Sequence, residues 1–342
     1  MNTIIRSVLL TMIQLVIPVL AGVLLRRRGS AGEDVFRAIS RVVVAVTLPL
    51  YFFVRVARTD VAVILGAGIF PVAAVLAVGI GLSLTWIVVR LTRDELAVDR
   101  LRIAAGGFGN SGYLPLSVNE LLPVTLPVLG SLLNPEQTTL YIGAYVFMQS
   151  PLLWSVGNWL VQGGGVRFEA RQLVSTPVIG ILAGLVASVT GLGHLMATPD
   201  TLAFYLTLPL SRLGQATVPL VLLTLGGLIG GLTVPQGHRK RVLRAGATAV
   251  LVRLVLMPAV FWIGLVATFG GSGGATASAA PLAVLWVLFL EFHTPTANNL
   301  SVMAARAGRG QDEIAATMLM VYSAYTVVFP LYLAGFLIWL GV

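Results

Sequence analysis

The chain has 342 residues, of which 57% are hydrophobic and only 10% charged, with a net charge of +9 and no cysteine. Soluble domains carry about 25% charged residues, so this composition excludes a water-soluble globular protein and predicts an all-α polytopic membrane protein. The lack of cysteine excludes a disulfide framework and a thiolate metal site. The 22 basic residues fall in short clusters between apolar runs rather than on one domain face, which argues against nucleic acid as a partner.

A bilayer-spanning helix takes roughly 20 apolar residues. Ten such stretches follow one another, at about 4–25, 38–57, 61–89, 103–122, 138–161, 173–192, 213–234, 242–268, 280–305 and 314–340. The first has only Arg6 ahead of it, "RRR" behind it and no small-residue cleavage pattern, so it reads as a retained span rather than a signal peptide. The basic residues test the count. Counting residues within two positions of a span end with the adjoining gap, the odd-numbered gaps hold 16 of them and the opposite side 4, with Arg41 and Arg253 deeper inside spans. Cytoplasmic loops collect Lys and Arg. The expectation is therefore an integral inner (plasma) membrane protein with both termini outside the cytoplasm.

Short segments recur at five-span intervals. "IPVLAGVLL" from Ile17 resembles "TPVIGILAGLV" from Thr176, and "LPLYFF" from Leu48 resembles "VPLVLL" from Val218. Pro115 followed by "LSV" in the fourth span corresponds to Pro295 followed by "ANNLSV" in the ninth. Five is odd, so the second half enters the membrane in the opposite sense. Two inverted five-helix repeats are expected, 1–165 and 166–342, in one integral membrane domain, a recurring plan of secondary transporters.

The fourth span contains "GGFGNSGYLPLSVNELLP" and the ninth "EFHTPTANNLSV". Glycine and proline cost about 1 and 3 kcal/mol at interior helix positions, so both spans read as broken helices. Non-helical backbone at membrane depth is tolerated only inside protein or beside a watery cavity. Two facing breaks would make a polar pocket whose half-helix N-termini favour an anion. The other span prolines (Pro18, Pro49, Pro71, Pro177, Pro219, Pro258 and Pro330) read as plain kinks. The match to G-x-G-x-x-G at Gly107, Gly109 and Gly112 lacks the βαβ context of a dinucleotide site. "GNSGY" fails the nucleophile-elbow pattern at Tyr113.

Glu291 and His293 lie just before the second break, where an ionisable group is a functional candidate. They are read as ion-coupling residues, through a proton or through sodium at Glu291; the alternative is a structural ion pair of Glu291 with Arg253 or Arg41. Arg253 is also a candidate partner for substrate charge, and Arg41 is expected to snorkel to the interface. Glu120 reads as solvated. The small-residue pairs Gly226/Gly230 and Gly227/Gly231 fit a dimer surface or packing within one protomer equally well. "FGGSGGATASAA" between spans eight and nine reads as a flexible linker.

The motifs "GNSGYLPLSV", "LPLYFF" and "PTANNLSVMAARAG", with "DEIAATMLMVYSAYTVVFPLYL" after them, resemble the auxin efflux carrier family over nearly the whole chain. The resemblance implies a ten-helix, five-plus-five inverted fold in which crossed helices four and nine carry the substrate site. It implies a scaffold of helices one, two, six and seven that mediates homodimer contact, and small organic anions as substrates. Pro115 and Pro295 would be the crossover prolines. Asn110, Asn298 and Asn299 would be the substrate amides, with Ser111 and Gly112 beside them. The chain departs from the plant carriers in having only "QGGGVRFEARQ" between its halves. "EFH" also resembles the sodium–bile acid symporters, in which a helix-nine Glu ligates sodium.

The expected function is a secondary carrier of small organic anions working by alternating access, with no cofactor and no ATP site, since G-x-x-x-x-G-K-[ST] is absent. A sodium-coupled organic anion carrier, a channel and a non-transporting ligand sensor are the alternatives. A membrane-embedded enzyme is disfavoured by three His, no Cys and no H-E-x-x-H.

Overall fold

The computed structural model describes residues 2–92, 96–163, 175–231, 239–270 and 282–341. The glycine-rich linker at 269–280 and the connection at 162–172 lie for the most part outside them. Among the described residues the chain is helical, with no strand and one isolated antiparallel bridge, Gly109 to Thr296.

Twelve helical runs carry the fold. They are α1 (Asn2–Arg27), α2 (Glu33–Ala57), α3 (Val63–Leu91), α4 (Leu96–Gly107), α5 (Tyr113–Thr125) and α6 (135–162). They continue with α7 (Thr176–Val189), α8 (Leu202–Gly230), α9 (Val242–Phe269), α10 (Leu282–Phe292), α11 (Asn299–Ala307) and α12 (Gln311–Leu340). Helix is found at each of the ten expected stretches. Six runs (α1, α2, α3, α8, α9 and α12) are long and apolar enough to cross a bilayer, and α7 and α10 are shorter apolar helices. The seventh stretch begins earlier than expected, at Leu202 rather than near 213, because "LAFYLTLPL" continues the apolar helix backwards. Large apolar side chains stand exposed on the outer helices, including Ile17 at 60% on α1 and Leu76 at 58% on α3. Water would penalise such surfaces, whereas lipid does not.

Two groupings of helices position the site. In one, α1 packs on α8, and α2 packs on α7 and α8. The glycine stripe of α8 is consumed inside this group. A Cβ at Gly226 would stand 1.9 Å from the Val19 carbonyl oxygen, and one at Gly227 2.2 Å from the Phe36 ring. These glycines let α8 approach α1 and α2 within the protomer, so they are unavailable as a dimer surface. In the other grouping, α3 packs on α4 and α6, and α9 packs on α12. An aromatic stack of Phe289 on Phe336, with ring centroids 4.3 Å apart, ties α10 to α12.

Three π-helical turns interrupt α2, α6 and α9, at Val43–Thr47, Leu153–Gly157 and Val252–Leu256. The first and last stand just before Pro49 and Pro258. A proline removes one backbone donor, and the wide turn accommodates the gap. These prolines mark local irregularities, as expected of kinks.

Glu120 is not simply solvated. Its Oε1 accepts from the Tyr51 hydroxyl at 2.6 Å and lies 3.2 Å from Arg55 Nη2, joining α5 to α2. Nearby, Ser7 Oγ donates to the Thr125 carbonyl at 2.7 Å, joining α1 to the same end of α5.

Candidate functional site

The two glycine- and proline-containing segments open where expected. Residues 108–112 separate α4 from α5, and 293–298 separate α10 from α11. They meet face to face. The Asn110 N–H donates to the Pro295 carbonyl oxygen at 2.8 Å, and the Ala297 N–H donates to the Phe108 carbonyl oxygen at 2.9 Å. Each break satisfies the other's freed backbone groups, as a segment without water must.

Side chains satisfy what remains. Gln149 Nε2 donates to the Gly109 carbonyl at 2.7 Å, and Thr296 Oγ1 donates to the Ala105 carbonyl at 2.9 Å. Tyr322 bridges the breaks, because its hydroxyl donates to the Thr296 carbonyl at 3.0 Å and accepts from Asn110 Nδ2 at 2.7 Å. Trp286 Nε1 donates to Asn119 Oδ1 at 2.9 Å, holding α10 to α5.

The glycines and prolines act differently from the simple helix-breaker picture. Gly106, Gly107, Gly109 and Gly112 all keep negative φ. What Gly106, Gly107 and Gly109 supply is room: a Cβ at Gly107 would lie 2.3 Å from Leu82 Cδ2, and one at Gly109 2.2 Å from both Arg253 Nη2 and Thr294 Oγ1, whereas one at Gly112 would meet only Val146 at 4.0 Å. Pro115 sits in the first turn of α5, two residues after Tyr113, where the N–H has no intrahelical partner to lose. Pro295 contributes only its carbonyl to the pairing, so its missing N–H leaves no gap.

A cavity of about 80 Å³ opens beside the paired breaks. Asn110, Ser111, Gly112, Asn298 and Asn299 line it together, from both halves of the chain. Pro115, Pro295, Glu291, His293 and Arg253 are absent from its walls and sit buried around it. Two helices, α5 and α11, begin at Tyr113 and Asn299, so both point their N-terminal N–H groups at this cavity. Among the described residues the lining contains no acidic and no basic side chain. Leu153, Trp154, Val44 and Leu48 add apolar side chains to its lining, and the Arg306 guanidinium stands 6.0 Å from the Trp154 ring centroid. The arrangement offers neutral donors and two positive helix ends to a small ligand with one anionic and one apolar part.

His293 belongs to an aromatic cluster. Its Nδ1 is 2.7 Å from the Phe289 carbonyl, and its ring centroid lies 4.2 Å from Phe289 and 4.9 Å from Tyr332. Its Nε2 has no hydrogen-bonding partner, and neither carboxyl oxygen of Glu291 has one. Ser111, Arg253 and Tyr145 are polar neighbours of Glu291. Arg253 itself grips the second break, donating from Nε to the Thr294 carbonyl at 3.0 Å and from Nη2 to the Thr294 hydroxyl. Arg41, by contrast, is exposed near the end of its helix segment.

Sequence reasoning missed Gln149, Tyr322, Thr294 and Trp154. Gln149 and Ser150 were detectable as adjacent polar residues within an apolar span. Tyr322 looked like any interfacial tyrosine, and only its place opposite the breaks reveals its bridging role.

A family model described as membrane transport protein matches residues 7–172 and 167–333. Protein PIN-LIKES 7 of Arabidopsis thaliana is 25% identical over 350 aligned positions, covering 84% of this chain and 86% of that protein. Protein PIN-LIKES 5 of the same plant is 31% identical over 154 positions, covering 44% of this chain and 37% of that protein.

Proposed function

This chain belongs to the membrane transport protein family, that of the auxin efflux carriers, and on that premise we propose that it carries small organic anions by alternating access, binding them at the paired breaks. Membership makes it an integral membrane transporter, from a family of transporters rather than enzymes. The observation that carries the substrate class is the convergence of two helix N-termini and the amides of Asn110, Asn298 and Asn299 on one cavity that no acidic side chain lines among the described residues. An anion is favoured at helix N-termini by the unpaired N–H groups and the helix dipole.

In this reading the chain spans the plasma membrane ten times as two inverted five-helix repeats, 1–165 and 166–342. Helices four (α4 with α5) and nine (α10 with α11) cross at their breaks, and both chain termini lie outside the cytoplasm. The group containing α1, α2, α7 and α8 is the fixed scaffold and the homodimer contact. The remainder moves against it with the substrate. Ser111 and Gly112 contact the substrate beside the asparagines, and the prolines shape the breaks. The membrane potential or an ion gradient drives the cycle. The buried carboxyl of Glu291 supports coupling to a proton, with sodium at Glu291 as the second reading and His293 close by in sequence.

Thermal stabilisation and proteoliposome flux against a panel of small carboxylates test the reading. Saturable uptake, with Asn110→Ala and Asn298→Ala weakening it at least tenfold, is the expected result. Binding of organic cations in preference to carboxylates would overturn the substrate class. Binding without flux would leave a ligand sensor.

A further inference from the structure

Against the breaks, buried beside the cavity residues Gly109 and Ser111, lies a second arrangement. Arg253 is 3% exposed and comes from the π turn Val252–Leu256, a feature that re-aims side chains and often marks functional positions. Its guanidinium touches both breaks. It donates to the carbonyl and to the hydroxyl of Thr294, and it leaves no room for a side chain at Gly109. The Thr294 hydroxyl in turn donates to the Glu291 carbonyl at 2.9 Å. Glu291 is 1% exposed, and both its carboxyl oxygens lack a hydrogen-bonding partner. Among the described residues no ion pair joins it to Arg253, although each lies in the other's field.

A carbonyl, a hydroxyl and a carboxylate are the oxygen donors that hard cations select. Here a covalently attached cation already engages the first two. Arginine remains charged in proteins, and a lone buried charge at this depth is costly without a counter-charge. Glu291 is the acidic side chain whose field reaches it. A metal ion added to the same place would leave two cations against one carboxylate.

We propose that Arg253 is a built-in cation of the second break. It stands where a dissociable monovalent metal ion would otherwise bind, so the paired breaks stay assembled without sodium, and Glu291 serves as its counter-charge. The proposal deepens the reading of the breaks as the substrate element, yet its test needs no substrate. Loss of carboxylate binding would sink the substrate class and leave the salt comparison below untouched.

The test is the melting temperature of the full-length protein in nanodiscs, in sodium, potassium or choline chloride at equal ionic strength. Wild type is compared with Arg253→Lys, Arg253→Ala and the double variant Arg253→Ala/Glu291→Gln. Wild type and Arg253→Lys are expected to melt alike in all three salts. Arg253→Ala is expected to melt lower in choline and to recover several degrees in a metal-cation salt, and the double variant to lose that recovery. A sodium-specific rise in wild type overturns the proposal. So does an Arg253→Ala protein that folds and ignores the salt. Should Arg253→Ala not fold in any salt, Arg253→Lys decides: a melt close to wild type in every salt supports the tethered charge, and a collapse like that of Arg253→Ala, or a sodium-specific rise, refutes it.

Discussion

Asn110 donates its backbone N–H to the Pro295 carbonyl oxygen at 2.8 Å. This one bond joins the two most irregular segments of the chain, which lie in different halves of the sequence. With the reciprocal bond from Ala297 to Phe108 it forms a two-residue antiparallel bridge inside an otherwise helical molecule. The pairing removes the main objection to broken helices in a membrane, because each break is the other's hydrogen-bonding partner.

Gly109 is the tightest point of that bridge. A methyl group there would meet Arg253 Nη2 and Thr294 Oγ1 at 2.2 Å each, and over-packing of this kind costs about 1 to 3 kcal/mol. Gly109→Ala should lower the melting temperature and abolish carboxylate-induced stabilisation, whereas Gly264→Ala, where a Cβ meets nothing within 4 Å, should do neither. Equal behaviour of the two variants in thermal unfolding would show that the close approach is not needed.

Tyr322→Phe removes the hydroxyl that serves both Asn110 and the Thr296 carbonyl. Leaving buried groups unpaired costs about 1 to 3 kcal/mol. The variant should be less stable, and carboxylate affinity should fall because the Asn110 amide loses its anchor. Isothermal titration reads the affinity; an unchanged Kd would show that Tyr322 supports the fold alone.

Gly226→Leu should unfold the protomer. The position faces Val19 backbone atoms, with its Cβ site 1.9 Å from the carbonyl oxygen. Size-exclusion chromatography with light scattering distinguishes this from an interface effect. A folded protein shifted cleanly from dimer to monomer would place the stripe at a subunit contact instead.

The Glu120–Tyr51–Arg55 cluster links α5 to α2. Its side chains are about three-quarters buried, and hydrogen bonds to a charged group in such a setting contribute about 1 to 2 kcal/mol. A double-mutant cycle of Tyr51→Phe with Glu120→Gln, followed by thermal or denaturant unfolding, should return a coupling of about 1 kcal/mol. If the scaffold moves against the remaining helices, the single variants should also change transport rate more than substrate affinity.

Much of this protein follows from one-dimensional information. Membrane residence follows from composition, since 10% charged residues cannot cover a soluble surface. The positions of the helical runs follow from apolar length. The location of both breaks is marked by Pro115, Pro295 and the glycines around Gly109, because these residue types are poor helix formers at interior positions. Tertiary structure decided the rest. Which glycines give room depends on what approaches them, so Gly226 and Gly227 could not be assigned to protomer or dimer until Val19 and Phe36 were seen against them. Glu120 read as solvated because its partners, Tyr51 and Arg55, lie on another helix. Arg253, a candidate for substrate charge, holds Thr294, a contact between distant segments that no local pattern encodes. Hydrophobic length and helix-breaking are local properties of a chain. Burial, pairing and close approach belong to pairs of segments, and only the folded arrangement specifies them.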